Sequence, residues 1–303
     1  MSSPSTPALC HIEINGTRLA YRESGQGEPL VLVHGHLSDH RTWTILEHQL
    51  STRFHIYNYS KRYSWPNESI PDGQNPSWEQ DSLDLESFIE TLDISPVHVL
   101  GNSSGATVIL WLARTKPHLF QTLLLEEPPL ITLFVPTMPP DPWTLLSLLL
   151  RHPISFCYVM PYGANTVGPA SAQAKKGEYE LALTTFASGC LGPKLWPRIL
   201  ANPERMHQVD NNAKVICQFL RYGKMPIYLV RDARSIRVPV LVITGTDGPY
   251  FAQCINHELL RVCGASRKKE VKIQEAGHLI HEDNPNQVLE EIIRFVFGKQ
   301  TTI

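Results

Sequence analysis

No two of the chain's six cysteines, Cys10, Cys157, Cys190, Cys217, Cys254 and Cys263, form a C-x-x-C pair. The usual sequence signs of a zinc site or a redox pair are therefore missing. Nor is there an excess of either charge. The 27 Lys and Arg nearly balance 29 Asp and Glu, for a formal net charge of −2, which leaves no basic footprint for nucleic acid. The longest apolar stretch, Trp143–Met160, is broken by Arg151, His152 and Pro153, so a membrane span is not expected. The stretch Met1–Leu9 is rich in Ser and Pro and has no basic-then-apolar pattern, and Thr301-Thr302-Ile303 matches no peroxisomal or retention signal. The expectation is reduced thiols and a cytoplasmic protein. Internal repeats and low-complexity tracts are absent too. What remains is a chain with 42% hydrophobic and 18% charged residues, enough apolar material for a large core.

Short apolar runs alternate with helical spacing. His11–Asn15 and Arg18–Arg22 alternate around Asn15-Gly16, a hairpin signal. Pro29–Val33, Phe54–Tyr59, Val97–Leu100, Leu119–Leu125, Val238–Thr244 and Val271–Gln274 are strand candidates. Helices are expected over His40–Leu50, capped by Ser38 or Asp39, and over Ser77–Leu92, Ser104–Thr115 and Gln287–Phe297. This alternation predicts an α/β fold with a mostly parallel sheet covered on both faces. Between Pro128 and Ile236 the rhythm breaks into helical patches with many prolines and aromatics, which predicts a helical insertion over the sheet edge.

The segment Gly101-Asn102-Ser103-Ser104-Gly105 joins a predicted strand to a predicted helix. In that setting G-x-S-x-G is a nucleophile elbow: the glycines permit a sharp turn, and the turn presents the Ser103 hydroxyl at the C-terminal edge of the sheet. A serine hydroxyl needs a base and donors for the oxyanion formed on attack. His278, in the loop after the last predicted strand, is the candidate base, with His281 its competitor. The candidate donors are the main-chain N–H groups of Ser104 and of His36, in the loop after Pro29–Val33.

These pieces together resemble the α/β-hydrolase superfamily. The matching segments are Arg22–Gly35, Gly101–Gly105 and Ala276–Pro285, in the family's order. The resemblance implies an α/β-hydrolase core over residues 1–127 and 237–303, a helical lid over 128–236, a Ser–acid–His triad and no cofactor or metal. The acid stays open. The common family position after the strand that follows the lid offers Asp247, one residue early. Some members carry a glutamate after the strand before the lid, where Glu127 fits the register and Glu126 adjoins it. Two consecutive carboxylates repel unless they point apart, so one of them is expected to be structural.

The loop Tyr59–Pro66 stands where many family members have a glycine-rich segment. Tyr63 and Trp65 are expected to pack it, with lining of the pocket the alternative, and Lys61 and Arg62 to lie on a solvated face, with binding of an acidic substrate group the alternative. The expected reaction is hydrolysis of an ester, lactone or thioester of a hydrophobic small molecule through an acyl-enzyme on Ser103. The alternatives are non-hydrolytic or carbon–carbon bond chemistry in natural-product (secondary) metabolism, and a small-molecule receptor of the same fold.

Overall fold

A computed structural model describes residues 8–137, 139–224 and 226–298. The stretches that bear on targeting, residues 1–7 and 299–303, lie outside the described residues. Eight strands form one sheet: β1 (Leu9–Ile14), β2 (Thr17–Ser24), β3 (Glu28–Val33), β4 (Phe54–Tyr59), β5 (Val97–Asn102), β6 (Phe120–Glu126), β7 (Val240–Gly245) and β8 (Lys268–Ile273). Their spatial order is β1-β2-β4-β3-β5-β6-β7-β8. The pairs β1–β2 and β2–β4 are antiparallel and every other pair is parallel.

The β1–β2 hairpin turns at Asn15 and Gly16, both with positive φ, which suits the right-handed twist of the flanking strands. The central strands are buried on both faces, and their alternate residues split between two cores. Leu30, Leu32, Leu100 and Leu124 pack under α1 (Thr44–Leu50) and the C-terminal helices, whereas Val31, Val33, Val99 and Leu125 pack under α2 (Trp78–Thr91) and α3 (Ser104–Ala113). The expected helix over His40–Leu50 begins as a 3₁₀ turn, His40–Trp43, capped by the Asp39 carboxylate. Strand β8 starts three residues before Val271, taking in Lys268 and Lys269. These exposed charges suit an edge strand that must not pair with another chain.

Between β6 and β7 the chain forms α4 (Pro142–Arg151), α5 (Pro153–Tyr162), α6 (Gly168–Lys176), α7 (Tyr179–Leu200), α8 (Pro203–Tyr222) and α9 (Val230–Ser235). No strand occurs there among the described residues. The helical layer meets the core partly through Tyr162, whose ring stacks on Phe251 at 3.8 Å between centroids. Phe251 belongs to α10 (Tyr250–Val262), a helix beyond those expected from the sequence. The short α11 (Ile280–Asp283) and the amphipathic α12 (Pro285–Phe297) close the fold. Among the described residues no helix is long and apolar enough to cross a membrane.

Candidate active site

Ser103 stands between the end of β5 and the first residue of α3, with φ 51° and ψ −116°. A non-glycine residue is rarely found there, and such strain concentrates at functional positions. The flanking glycines are required by space. A Cβ on Gly105 would lie 2.1 Å from the Val33 carbonyl oxygen, and one on Gly101 would lie 2.7 Å from the Ala106 nitrogen. The Ser103 N–H donates to the Glu126 carbonyl at 2.7 Å, which fixes the turn to the neighbouring strand.

The loop after β8 carries His278. Its carbonyl accepts from Asn102 Nδ2 at 3.0 Å, which ties the loop to the residue before Ser103. The Nδ1 atom lies 2.7 Å from Glu127 Oε2. The other oxygen of Glu127 accepts the Gly245 N–H at 3.0 Å. An ionised carboxylate only accepts, so Nδ1 carries the proton of this contact and Nε2 is the ring nitrogen left to act as a base.

The three open acid positions separate in space. Glu127 has φ 44°, so the chain turns sharply after β6 and the adjacent carboxylates diverge. Glu126 Oε2 meets His281 Nδ1 at 2.6 Å and accepts from Asn102 Nδ2 at 3.1 Å. His281 Nε2 lies 2.8 Å from Thr42 Oγ1, and its ring packs 4.0 Å from that of Trp43. Asp247 is not the partner of His278. Its carboxylate accepts from Lys194 Nζ at 3.0 Å and is 40% exposed, because the loop after β7 turns it outward towards α7.

His34 orders the loop after β3. The Lys61 N–H donates to His34 Nε2 at 2.9 Å, so the proton of the neutral ring sits on Nδ1, which donates to the Gly35 carbonyl at 2.8 Å. Burial, followed by the nearby Lys61 charge, pulls the His34 pKa down to about 3. The pinned Gly35 carbonyl belongs to the same planar peptide as the His36 N–H, so that N–H is fixed as well.

Ser103, His36, Glu127 and His278 line one chamber, walled by Trp78, Tyr162, Phe186, Phe219, Phe251 and Pro129. Its free volume is about 30 Å³, and a second space of about 40 Å³, also lined by His36, Ser103 and His278, adjoins it. Lys and Arg are absent from this lining. Arg205 lines the adjoining space, and it pairs with Glu282 at 3.2 Å. Among the described residues, no three His, Cys, Asp or Glu side chains are grouped to hold a metal ion.

The solvated face expected for Lys61 and Arg62 is not what forms. Lys61 is buried at 4% exposure. Arg62 forms a two-point ion pair with buried Asp84, at 2.7 and 2.8 Å. Both residues reach inward because α2 supplies acidic partners. Trp65 packs the loop, between the His40 ring and the Arg41 guanidinium. Tyr63 lines a separate cleft that opens beside His36.

The model of the Alpha/beta hydrolase family matches residues 30–291, and the chain belongs to that family. It is 30% identical over 120 residues to an N-formylmaleamate deformylase of Pseudomonas putida, a match that covers 39% of this chain and 44% of that protein. The chain thus spans less than half the length of this curated relative. Among solved structures, a thermophilic esterase from Thermogutta terrifontis superposes with TM-score 0.67 at 18% identity, covering 96% of this chain and 98% of that one. The enol-lactonase of Burkholderia xenovorans superposes with TM-score 0.68 at 18% identity, covering 95% and 100%. At such identity these two neighbours speak for the fold alone.

Proposed function

We propose that the protein is a serine hydrolase that cleaves an ester, lactone or thioester of a small apolar molecule through an acyl-enzyme on Ser103. The observation that carries this reading is the His278–Glu127 contact at 2.7 Å in the chamber that holds Ser103. His278 Nε2 takes the Ser103 proton as Oγ attacks the carbonyl carbon. The carbonyl oxygen becomes an oxyanion held by the main-chain N–H groups of His36 and Ser104. The second donor opens α3, whose N-terminal dipole favours negative charge. Glu127 holds the imidazole in its reactive tautomer and stabilises the imidazolium. The leaving group takes the proton from His278, and water then releases the acyl group by the reverse sequence.

The aromatic walls favour an apolar acyl group. The cation in the adjoining space, Arg205, is already paired with Glu282. In this reading the helices between β6 and β7, within residues 128–236, form a cap over a core made of residues 1–127 and 237–303.

The test is intact-protein mass after brief exposure to a fluorophosphonate, with Ser103→Ala as control. The expected result is a single adduct on the wild type and none on the variant. A folded wild type that takes no adduct overturns the acyl-enzyme and favours a receptor or a non-covalent catalyst.

A further inference from the structure

Lys61 has no part in the reaction drawn above, yet its position is costly. A lysine just after a strand ordinarily extends into water, and a buried ammonium must be paired and hydrogen-bonded. Its nearest carboxylate, Asp81 Oδ2 on α2, is 3.6 Å away, beyond ordinary hydrogen-bond length. The closer contact is to a neutral group: Nζ donates to Ser104 Oγ at 3.1 Å. Burial pulls the Lys61 pKa down and pushes the Asp81 pKa up to about 6, as expected for a pair held out of water.

Two of the hydrogen bonds of Lys61 lead to the two segments that carry the proposed oxyanion donors. Through its main chain it holds His34, and His34 holds the peptide that bears the His36 N–H. Through its ammonium it holds the side chain of Ser104, the residue that bears the second N–H. Its positive charge lies beside the N-terminus of α3, where negative charge is already favoured.

We propose that Lys61 is a positioning residue that ties the His34–His36 loop to the start of α3 and keeps the N–H groups of His36 and Ser104 convergent on the oxyanion. This rests on the serine-hydrolase reading. The tie serves the transition state more than substrate binding, so its loss lowers kcat and leaves KM in place.

The experiment compares wild type, Lys61→Met, Ser104→Ala and the double variant. Lys61→Met keeps the chain length and the main-chain N–H but removes the ammonium. Ser104→Ala keeps the backbone donor and removes the acceptor. The readouts are kcat and KM for p-nitrophenyl butyrate and the rate of phosphonylation. Lys61→Met is expected to lower kcat by about 10-fold to 50-fold with KM within about twofold, and Ser104→Ala by about fivefold. The double variant is expected to fall no further than Lys61→Met, because both changes cut one connection. Multiplied losses, or an unchanged kcat in Lys61→Met, overturn the proposal. Should Lys61→Met not fold, Ser104→Ala decides: unchanged kcat with wild-type thermal unfolding overturns it. A Ser103 adduct on the wild type beside an unaffected Lys61→Met sinks the tie alone, whereas a wild type without adduct sinks the hydrolase reading itself.

Discussion

At the scale of single residues, the site depends on which carboxylate meets which histidine. Glu127→Gln keeps the volume but removes the charge that fixes the His278 tautomer. It is expected to lower kcat about 10³-fold to 10⁴-fold, whereas Asp247→Asn stays within about twofold, as steady-state ester hydrolysis would report. Equal losses from both changes would refute the assignment. Buried neutral imidazoles set the acid behaviour. His34 and His40 have folded pKa values lowered by burial to about 3 and about 4, below the 6.5 of an unfolded chain. The unfolded state therefore binds more protons as pH falls below 6.5, and stability drops by roughly 1.4 kcal/mol per pH unit for each histidine until the folded ring titrates. Asp81, with its pKa raised to about 6, acts in the opposite sense between pH 6 and 3.8 and cancels one of the two. Thermal unfolding midpoints are expected to fall from pH 6.5 towards pH 4, and a flat profile would contradict the burial of these rings. The sequence left Glu127, Asp247 and Glu126 all open, because their sorting depends on the positive φ of Glu127 and on a loop some 150 residues away. The burial of Lys61 was illegible for a related reason: its partners come from α2 and α3.

The elements were more legible. Strands β3 to β7 are short apolar runs with turn residues at their ends, and that pattern is local. The lysine-led start of β8 was missed because an edge strand tolerates charge. Helix α10 offered no cap signal of the Ser, Thr, Asp or Asn kind, since Pro249 stands at its N-cap. Element packing gives a sharp test in Gly105→Ala. The added Cβ would sit 2.1 Å from the Val33 carbonyl, between β3 and α3, and neither backbone can yield. A loss of several kcal/mol or failure to fold is expected, against a change within about 0.5 kcal/mol for Leu150→Glu on the exposed side of α4. Chemical denaturation of the two variants separates these outcomes.

At the scale of the whole molecule, the proposed reacting groups lie where the sheet meets the helical layer. In the proposed reading the fit of an acyl group is set by side chains that descend from the layer to line the space around Ser103. Phe186, on α7, is one of them. Replacing it by Ala is expected to raise kcat/KM for a long-chain p-nitrophenyl ester relative to the acetate by about tenfold, consistent with the few kcal/mol that burying several methylenes supplies. An unchanged ratio would place the acyl group elsewhere.

The outward turn of Asp247 has a consequence for how such a protein diverges. If, as proposed, the carboxylate for His278 comes from the end of β6, the Asp247 side chain carries no chemical duty and answers to an exposed lysine of α7. The main chain of that loop stays tied to the segment before His278, through the Asp247 N–H to the Ala276 carbonyl at 2.9 Å and the Glu275 N–H to Thr246 Oγ1 at 3.1 Å. Exchange of the side chain at position 247 therefore leaves the reaction untouched where an insertion beside it would not.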